Sequence, residues 1–451
     1  MNVDNDRFPL AAVIRRPADH SRNRWMVGWW LLAFAVSLLA SVGCRQEVPL
    51  AFEPNLVHAK RYEIQQGLPM DQVTRDAAWV VHEMFGTPDE PRLPEFALMA
   101  ESDGEEAAEE LRSIVSAERL RIASGPKDAE GRGLYRTHCA HCHGINGDGR
   151  GETSAVLVPY PRDYRKGVFK FKSTPRGSKP VREDIARLIR DGIEGTAMNP
   201  IPELTEDGVQ ALTDYVIYLS WKGELERTLI DNAVYDLDLE EGERLIDPSL
   251  RDGSEEEQER FREAWLYAEE DAAAIAESWL DAEDQVIDVP EPPSDIPVAD
   301  SGQEFRQMML GDQAETLRAS VMRGRELFVG KLANCATCHG EQGRGDGQTT
   351  DYDDWTKEWT TGIGVEPQDR DALIPLLARG ALPPLNATPR NFELGVFHGG
   401  SSSADLYRRI TQGIDGTPMP AATFVEGKFE EDDVWHLINF IRSLQQEPES
   451  A

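Results

Sequence analysis

Two short segments of this 451-residue chain share one spacing of cysteine and histidine. They are Cys139-Ala-His-Cys142-His143 and Cys335-Ala-Thr-Cys338-His339. Side chains three and four residues apart lie on one face of a helix, so the two cysteines and the histidine of each segment can reach one bound group. The pattern C-x-x-C-H is typical of a c-type haem attachment site. The sequence therefore predicts two covalently bound haem c groups, each attached through two cysteines and bound at its iron by the histidine.

Two other kinds of site use closely spaced cysteines. A zinc site needs about four ligands, whereas each segment offers at most three, and an adjacent Cys-His pair converges poorly on one tetrahedron. A thioredoxin-like redox site would need a βαβ context, and no such pattern surrounds either segment. Haem attachment is therefore the leading interpretation of both segments.

The two segments belong to a longer internal repeat, which is a feature to look for early in any chain. Each is preceded by a Gly-x-x-Leu-aromatic motif and followed by a glycine-rich turn, a Pro-Arg segment, a Gly-Thr-x-Met loop and an amphipathic helix. In the first copy these features begin at Gly131, Gly144, Pro161, Gly195 and Leu212, and in the second at Gly324, Gly340, Pro389, Gly416 and Leu437. The repeat predicts two small helical domains with the same order of elements.

This order of elements resembles the class I cytochrome c family over roughly residues 118–222 and 318–446. The resemblance implies that the methionine of each Gly-Thr-x-Met loop, Met198 or Met419, is the second axial ligand of the iron. Histidine–methionine ligation raises the reduction potential of a haem. The second loop ends in Pro420, as in the family, but the first has Asn199 there, which should leave Met198 less rigidly presented.

The resemblance also implies that the first and last helices of each domain cross through a small residue and an aromatic pair. The matching positions are Gly131, Tyr135 and Tyr215 in the first domain, and Gly324, Phe328 and Phe440 in the second.

Each Pro-Arg segment adds a candidate for binding the cofactor. A buried haem propionate needs an arginine or a backbone donor, so Arg162 and Arg390 are predicted to bind propionates. An ordinary surface ion pair is the alternative role for both arginines.

We expect an all-α protein in which an acidic, partly helical spacer joins two class I cytochrome c domains behind an N-terminal membrane segment. The second domain carries an insertion at about 348–386, because the stretch from His339 to Arg390 is much longer than its counterpart in the first copy. This insertion could cover a haem edge, form a partner site or be a passive surface excursion. The expected parts are 1–44 as signal or anchor, 45–117 as a partly helical region, 118–222 as the first haem domain, 223–317 as the spacer and 318–446 as the second haem domain.

Apolar periodicity predicts two helices outside the haem domains. One covers 70–84 and the other covers about 255–280 in the spacer. Because Trp279 needs burial, a structured spacer is favoured over a disordered acidic tether, which remains the alternative. His58 and His82 are isolated, so we expect them to be hydrogen-bonded or exposed and not to be ligands.

The N-terminus predicts export and membrane attachment. An arginine-containing region is followed by the apolar stretch Trp25–Val42, as in a secretory signal or signal anchor. The sequence Ser41-Val42-Gly43-Cys44 resembles a bacterial lipobox, with Ser41 where leucine is preferred, and implies lipid on Cys44. An uncleaved anchor is the alternative. Both place the chain on a membrane of the cell envelope, with the haem domains on the periplasmic side.

The net charge of −34 and the isoelectric point near 4.6 narrow the range of partners. Nucleic acid is excluded as a partner because phosphate contacts need clustered lysine and arginine. The acidic balance favours redox proteins with a basic docking face, attracted over long range, although such charge can also serve solubility alone.

Together these features predict an exported, membrane-attached dihaem cytochrome c that carries electrons between respiratory-chain partners and performs no chemistry of its own. One alternative is a fixed cytochrome c subunit of an oxidase or dehydrogenase complex. Another is a dihaem cytochrome c peroxidase, in which one iron must offer an open position. The paired methionine loops argue against a peroxidase. The loop at Met198 lacks the proline of the family pattern, however, so the peroxidase remains an alternative.

Overall fold

The computed structural model describes residues 50–446. The apolar N-terminal stretch and Cys44 lie outside this range. Within it the chain is helical and contains isolated β-bridges but no strand, as the prediction of an all-α fold requires. Among these residues, no helix combines the length and apolar character needed to cross a membrane.

The region before the first haem motif is a set of short helices around one longer helix. Their bounds are α1 Leu56–Gln66, α2 Met70–Phe85, α3 Ala97–Asp103, α4 Glu105–Arg112 and α5 Ala117–Ala123. Helix α2 confirms the helix predicted over 70–84. It buries Val73, Ala77 and Val80 on one stripe and ends at Gly86. The φ of Gly86 is +72°, a backbone conformation that would be strained in a residue with a side chain.

The first haem domain contains two very short helices, one of intermediate length and one long one. Their bounds are α6 Leu134–His138, α7 Ala140–His143, α8 Arg182–Asp191 and α9 Glu206–Asp236. The hydroxyl of Thr205 caps α9 by accepting from the backbone N–H of Gly208 at 3.2 Å. Helix α9 has 31 residues and therefore continues past position 222, where the sequence analysis ended the domain.

The spacer is a packed helix. Helix α10 covers Glu255–Leu280, as the sequence predicted, and begins with a capping box between Ser254 and Glu257. It packs on α9, where the indole N–H of Trp221 donates to the carbonyl of Ala272 at 2.8 Å. The side chain of Trp279 is buried, so the tether alternative is wrong for this helix.

The end of the predicted spacer and the second haem domain are built from shorter helices. Their bounds are α11 Gly302–Met308, α12 Ala314–Val329, α13 Ala336–His339, α14 Asp354–Trp359, α15 Arg370–Leu377, α16 Ser403–Gln412 and α17 Asp433–Leu444. Helices α14 and α15 lie in the predicted insertion. The core of this domain is separate and smaller, and centres on the crossing of α12 with α17.

The predicted aromatic pairs are present at both helix crossings. The rings of Tyr135 and Tyr215 are 4.8 Å apart, and those of Phe328 and Phe440 are 5.0 Å apart. Gly324 permits the crossing in the second domain, because a Cβ there would collide with the carbonyl of His436. The role predicted for Gly131 is wrong: a Cβ there would meet nothing within 4 Å. Its φ of +87° shows that a turn, and not close packing, favours glycine at this position.

Candidate functional site

His143 is held in one orientation by two contacts. Its Nδ1 lies 3.2 Å from the carbonyl oxygen of Arg162, and its ring stacks on Tyr164 at 4.9 Å with the planes 14° apart. Burial lowers the pKa of His143 to about 4, so the ring is neutral at physiological pH. Because a carbonyl only accepts, Nδ1 carries the ring hydrogen and Nε2 keeps its lone pair for a metal.

The second copy repeats this arrangement. Nδ1 of His339 lies 3.1 Å from the carbonyl oxygen of Arg390, and the ring stacks on Phe392 at 4.6 Å with the planes 22° apart. Burial lowers the pKa of His339 as well. Both histidines are thus neutral, fixed in the same tautomer and able to bind iron through Nε2.

The glycine-rich turns bring these carbonyls to the histidines. Gly149 and Gly345 both have a φ of +73°, and a Cβ at either would strike the carbonyl of the proline that precedes the arginine. Backbone hydrogen bonds then join the turn to the Pro-Arg segment, from Tyr164 to Gly147 at 2.7 Å and from Phe392 to Gly343 at 2.8 Å. Glycine is therefore required where the chain approaches its own backbone.

The cysteines of each motif lie on one helical turn, beside the histidine of the motif. Between residues 50 and 446, no three His, Cys, Asp or Glu side chains converge as a metal site. The zinc alternative therefore finds no ligand set in this part of the chain.

The Met198 loop is closed by its own hydrogen bonds. The carbonyl of Met198 accepts from the N–H of Ile193 at 2.7 Å. The hydroxyl of Thr196 accepts from the N–H of Met198 at 3.1 Å and donates to the carbonyl of Ile193 at 2.7 Å. In the second loop the same three bonds measure 3.1, 3.2 and 2.8 Å and join Ile414, Thr417 and Met419. Asn199 in place of proline therefore leaves these internal bonds unchanged.

A cavity of about 960 Å³ lies beside the second motif. It is near the upper limit of the roughly 300–1,000 Å³ that small-molecule and cofactor sites occupy. Apolar side chains of the second domain form part of its wall, including Phe392, Phe397 and Ile410. The predicted attachment and ligand residues line it together: Cys335, Cys338, His339 and Met419. In the first domain, Met198 and Cys139 pack against one hydrophobic core.

The first domain and the insertion complete this cavity. Arg162, Lys170 and Phe171 of the first domain line it, as do Trp355 and Trp359 of α14. The ring of Trp355 lies on the guanidinium of Arg162, with 3.7 Å from Cζ to the ring centroid. The insertion therefore covers the cavity and is not a passive surface excursion.

The buried cations of this cavity are balanced in part by carboxylates such as Asp353 and Asp405, and they would accept a further anion. Burial lowers the pKa of Arg162 to about 10, that of Lys170 to about 8 and that of Arg409 to about 10, and it also lowers the pKa of Arg390. Nη2 of Arg390 lies 2.8 Å from Nδ1 of His398, a weak partner for a buried guanidinium. Desolvated cations need compensating charge, and the two propionates of a haem supply it. The residues of the cavity therefore fit a haem in size, apolar wall and charge.

The carboxylate of Glu358 on α14 joins the insertion to three other elements of the structure. It pairs with Arg61 on α1, with Lys166 in the first domain and with Arg227 on α9. Burial opposes ionisation, but a contact from His58 and the three cations hold the pKa of Glu358 well below its usual range. The insertion therefore joins the second domain to the N-terminal region and to the first domain.

The two isolated histidines have the environments that were expected. His58 is buried, with Nε2 at 2.5 Å from the carboxylate of Asp231. His82 is exposed at the end of α2. His58 also lines the cavity beside the second motif, where its ring is held by Asp231.

Comparison with known families agrees with this geometry. Residues 126–216 match the sequence model of a family described as cytochrome c oxidase, cbb3-type, subunit III. Residues 321–445 match the model of the cytochrome c family. The chain carries two class I cytochrome c domains. Covalently bound haem c is therefore implied for this dihaem cytochrome c, and the number of domains suggests two such groups.

A solved structure from Kuenenia stuttgartiensis, a chain of a reducing HAO-like protein complex, is similar over 71% of this cytochrome c and 99% of that chain, at 25% identity and a TM-score of 0.41. A comparison with curated proteins found no match.

Sequence reasoning missed several polar residues of the cavity, among them Lys170, His398 and Arg409. A signal was present for two of them, because Val-Phe precedes both Lys170 and His398 in the repeat. A basic side chain recurs there in both copies of the cytochrome fold. Nothing local in the sequence indicated that Trp355 would meet Arg162.

Proposed function

We propose that this protein is an exported, membrane-attached electron carrier with two haems of histidine–methionine ligation. The observation that carries the proposal is the repeated pairing of a neutral, oriented histidine with a methionine loop of the same hydrogen bonding. His143 and Met198 would be the axial ligands in the first domain, and His339 and Met419 in the second. The four motif cysteines would attach the porphyrins.

The chain supplies orientation, charge balance and exclusion of water, as cofactor proteins generally do. A bound haem supplies a one-electron iron couple. The carbonyls of Arg162 and Arg390 keep the two imidazoles in the tautomer that binds metal. The side chains of Arg390, Arg409 and Lys170 would neutralise propionates, while Phe392 and Phe397 keep water from the porphyrin face. If a histidine and a methionine hold each iron, neither haem would offer a free position to a substrate.

The surroundings of the haem domains support a role at the cell envelope. The apolar stretch Trp25–Val42 would target the chain for export and would hold it at the membrane, either directly or through lipid on Cys44. The charge of −34 favours a redox partner with a basic docking face. Electron transfer to such a partner should slow as salt screens this attraction.

The experiment that tests the carrier role is the optical and spin-resonance spectrum of the oxidised, full-length protein, with its haem quantified. Two low-spin haems, each with the far-red band of a methionine–iron bond, are the expected result. A high-spin haem that binds cyanide or peroxide readily would instead favour the dihaem peroxidase.

A second candidate is a fixed cytochrome c subunit of an oxidase or dehydrogenase complex. The match of residues 126–216 to a family model described as an oxidase subunit favours it. The electron-transfer chemistry would be the same, but the partner would be permanent. Extraction in mild detergent distinguishes the two, because a fixed subunit co-purifies with its membrane complex and a mobile carrier is recovered alone.

A further inference from the structure

The loop that carries Met419 lies against the first haem domain. Asp415, four residues before Met419, accepts a hydrogen bond from the backbone N–H of Gly177 at 2.9 Å. Its carboxylate also lies 2.6 Å from Nζ of Lys172. The Lys172 and Asp415 side chains are only 5% and 9% exposed. A buried ion pair with a backbone donor therefore joins the first domain to this loop.

Arg176 of the first domain contacts the same loop at the methionine itself. Its Nη1 donates to the carbonyl oxygen of Met419 at 3.1 Å, and its Nε lies 3.6 Å from the carboxylate of Asp415. The loop is thus held from the neighbouring domain at two points, one on each side of Thr417.

Among residues 50–446, the Met198 loop has no equivalent anchor of this kind. Glu194 occupies the position of Asp415 in the repeat and is exposed. This loop meets the second domain at Gly195, where a Cβ would contact Val396 and His398. The two loops share three internal hydrogen bonds but differ in their external support, because within the described part of the chain charged groups of the other domain hold the Met419 loop and not the Met198 loop.

We propose that Lys172 and Arg176 are positioning residues for Met419, so that methionine ligation in the second haem domain depends on contact with the first. This inference rests on the proposed role of Met419 as an axial ligand. A thioether is uncharged, so the loop must hold it close to the iron for the bond to persist. The Lys172–Asp415 pair and the Arg176 hydrogen bond restrict the loop to the conformation in which Met419 lines the cavity.

The test uses the oxidised, full-length, haem-loaded protein and a double variant, Lys172→Met with Arg176→Gln. The expected result is loss or weakening of one of the two far-red bands, with faster cyanide binding at one haem and a lower reduction potential of that haem. Arg176→Lys, which keeps the positive charge beside Asp415, should retain more of the band than Arg176→Gln.

Arg187→Gln is the matched control. Arg187 also crosses the interface, donating to the carbonyl of Gly399 at 3.1 Å, but it does not contact the Met419 loop. It should leave both far-red bands unchanged. Equal loss of the band in Arg187→Gln and in the double variant would show a general effect of the interface and would overturn the assignment to Lys172 and Arg176.

Met419→Ala separates failure of this inference from failure of the proposed function. If Met419→Ala removes no far-red band, the ligand assignment is wrong and the positioning role is wrong with it. If Met419→Ala removes one band while the double variant keeps both and resists cyanide as the wild type does, only the positioning role is wrong. Should the double variant not accumulate with haem, Asp415→Asn provides the same comparison through removal of a single charge.

Discussion

The two haem domains share their ligand geometry and differ in what surrounds it. Each has a histidine whose Nδ1 donates to the carbonyl of an arginine, at 3.2 and 3.1 Å, and a methionine loop closed by the same hydrogen bonds. The first domain merges through α9 with the N-terminal helices and the spacer helix α10 into one large core. The second has a smaller core and closes its cavity with an insertion and with residues of the first domain.

The comparison distinguishes the features that orient an iron ligand from the features that hold it in that orientation. Local sequence is sufficient to orient the histidine and the methionine of each domain, because the glycine turns and the Gly-Thr-x-Met loops form corresponding hydrogen bonds in both copies. Support comes from elsewhere: α9 and its neighbours bury the first site, whereas the second depends on a domain interface. The second haem is therefore expected to be the more sensitive to changes outside its own domain.

The largest expected effect is loss of a whole cofactor. Cys335→Ser with Cys338→Ser should reduce the haem content from two per chain to one, because both thioether bonds of that site are removed. Cys139→Ser with Cys142→Ser is the matched change in the first domain and should do the same. Haem quantified as the pyridine haemochrome, per mole of protein, measures both. Retention of two covalent haems in either variant would contradict the attachment sites.

Removal of one axial methionine should have the next largest effect. Met419→Ala and Met198→Ala should each abolish one far-red band and lower the potential of one haem by on the order of 0.1 V, within the roughly 0.8 V range that axial ligands control. A potentiometric titration followed optically gives both values. If Met198→Ala left the spectrum unchanged while Met419→Ala did not, the first iron would have another ligand and the peroxidase reading would gain support.

Glu358→Gln tests the link between the two domains. The carboxylate is 18% exposed and pairs with three cations, so its loss should cost about 2–3 kcal/mol of unfolding free energy, somewhat less than the roughly 3–5 kcal/mol for a fully buried pair. Because the pKa of Glu358 is depressed in the folded protein, the difference from wild type should be complete at neutral pH. It should shrink as the pH falls below about 4.3, where the unfolded-state carboxyl protonates.

Urea titration of both proteins at neutral and acidic pH measures this difference. Glu326→Gln is the control, since that side chain is 70% exposed and lies 4.0 Å from Arg323. Such a surface pair should contribute less than about 1 kcal/mol. A loss in Glu358→Gln no greater than in this control would show that the insertion is not held by Glu358.

The smallest expected effect concerns the proline that distinguishes the two methionine loops. The three hydrogen bonds that the two loops share do not involve this position, so Pro420→Asn should change stability by less than about 1 kcal/mol, mainly through the flexibility of the unfolded chain. In the first loop the N–H of Asn199 also donates to the carbonyl of Ala197 at 3.1 Å, so Asn199→Pro removes this bond and should cost about 1 kcal/mol. Both far-red bands should persist in both variants. Disappearance of the band in Pro420→Asn alone would show that the proline, and not the domain interface, holds Met419.

Sequence motifs and apolar periodicity were sufficient to predict the all-α fold class and several of the helices. Helix α10 was predicted at about Glu255–Leu280, where the structure has it, because apolar residues recur there at helical spacing. Gly131 shows the limit of this reasoning. The repeat aligned it with Gly324, but the same residue type serves a turn in one copy and a close helix contact in the other.

The sequence by itself determined the chemistry of this protein: two haem attachment motifs, two methionine loops and an acidic surface. These are local patterns, in which spacing along a helix or a turn decides which side chains share a face. Only the tertiary structure decided that α14 brings Trp355 onto Arg162, that Glu358 gathers cations from three elements, and that Lys172 and Arg176 reach the Met419 loop. Such contacts join residues far apart in the chain, and their partners depend on how whole domains pack, which no local pattern encodes.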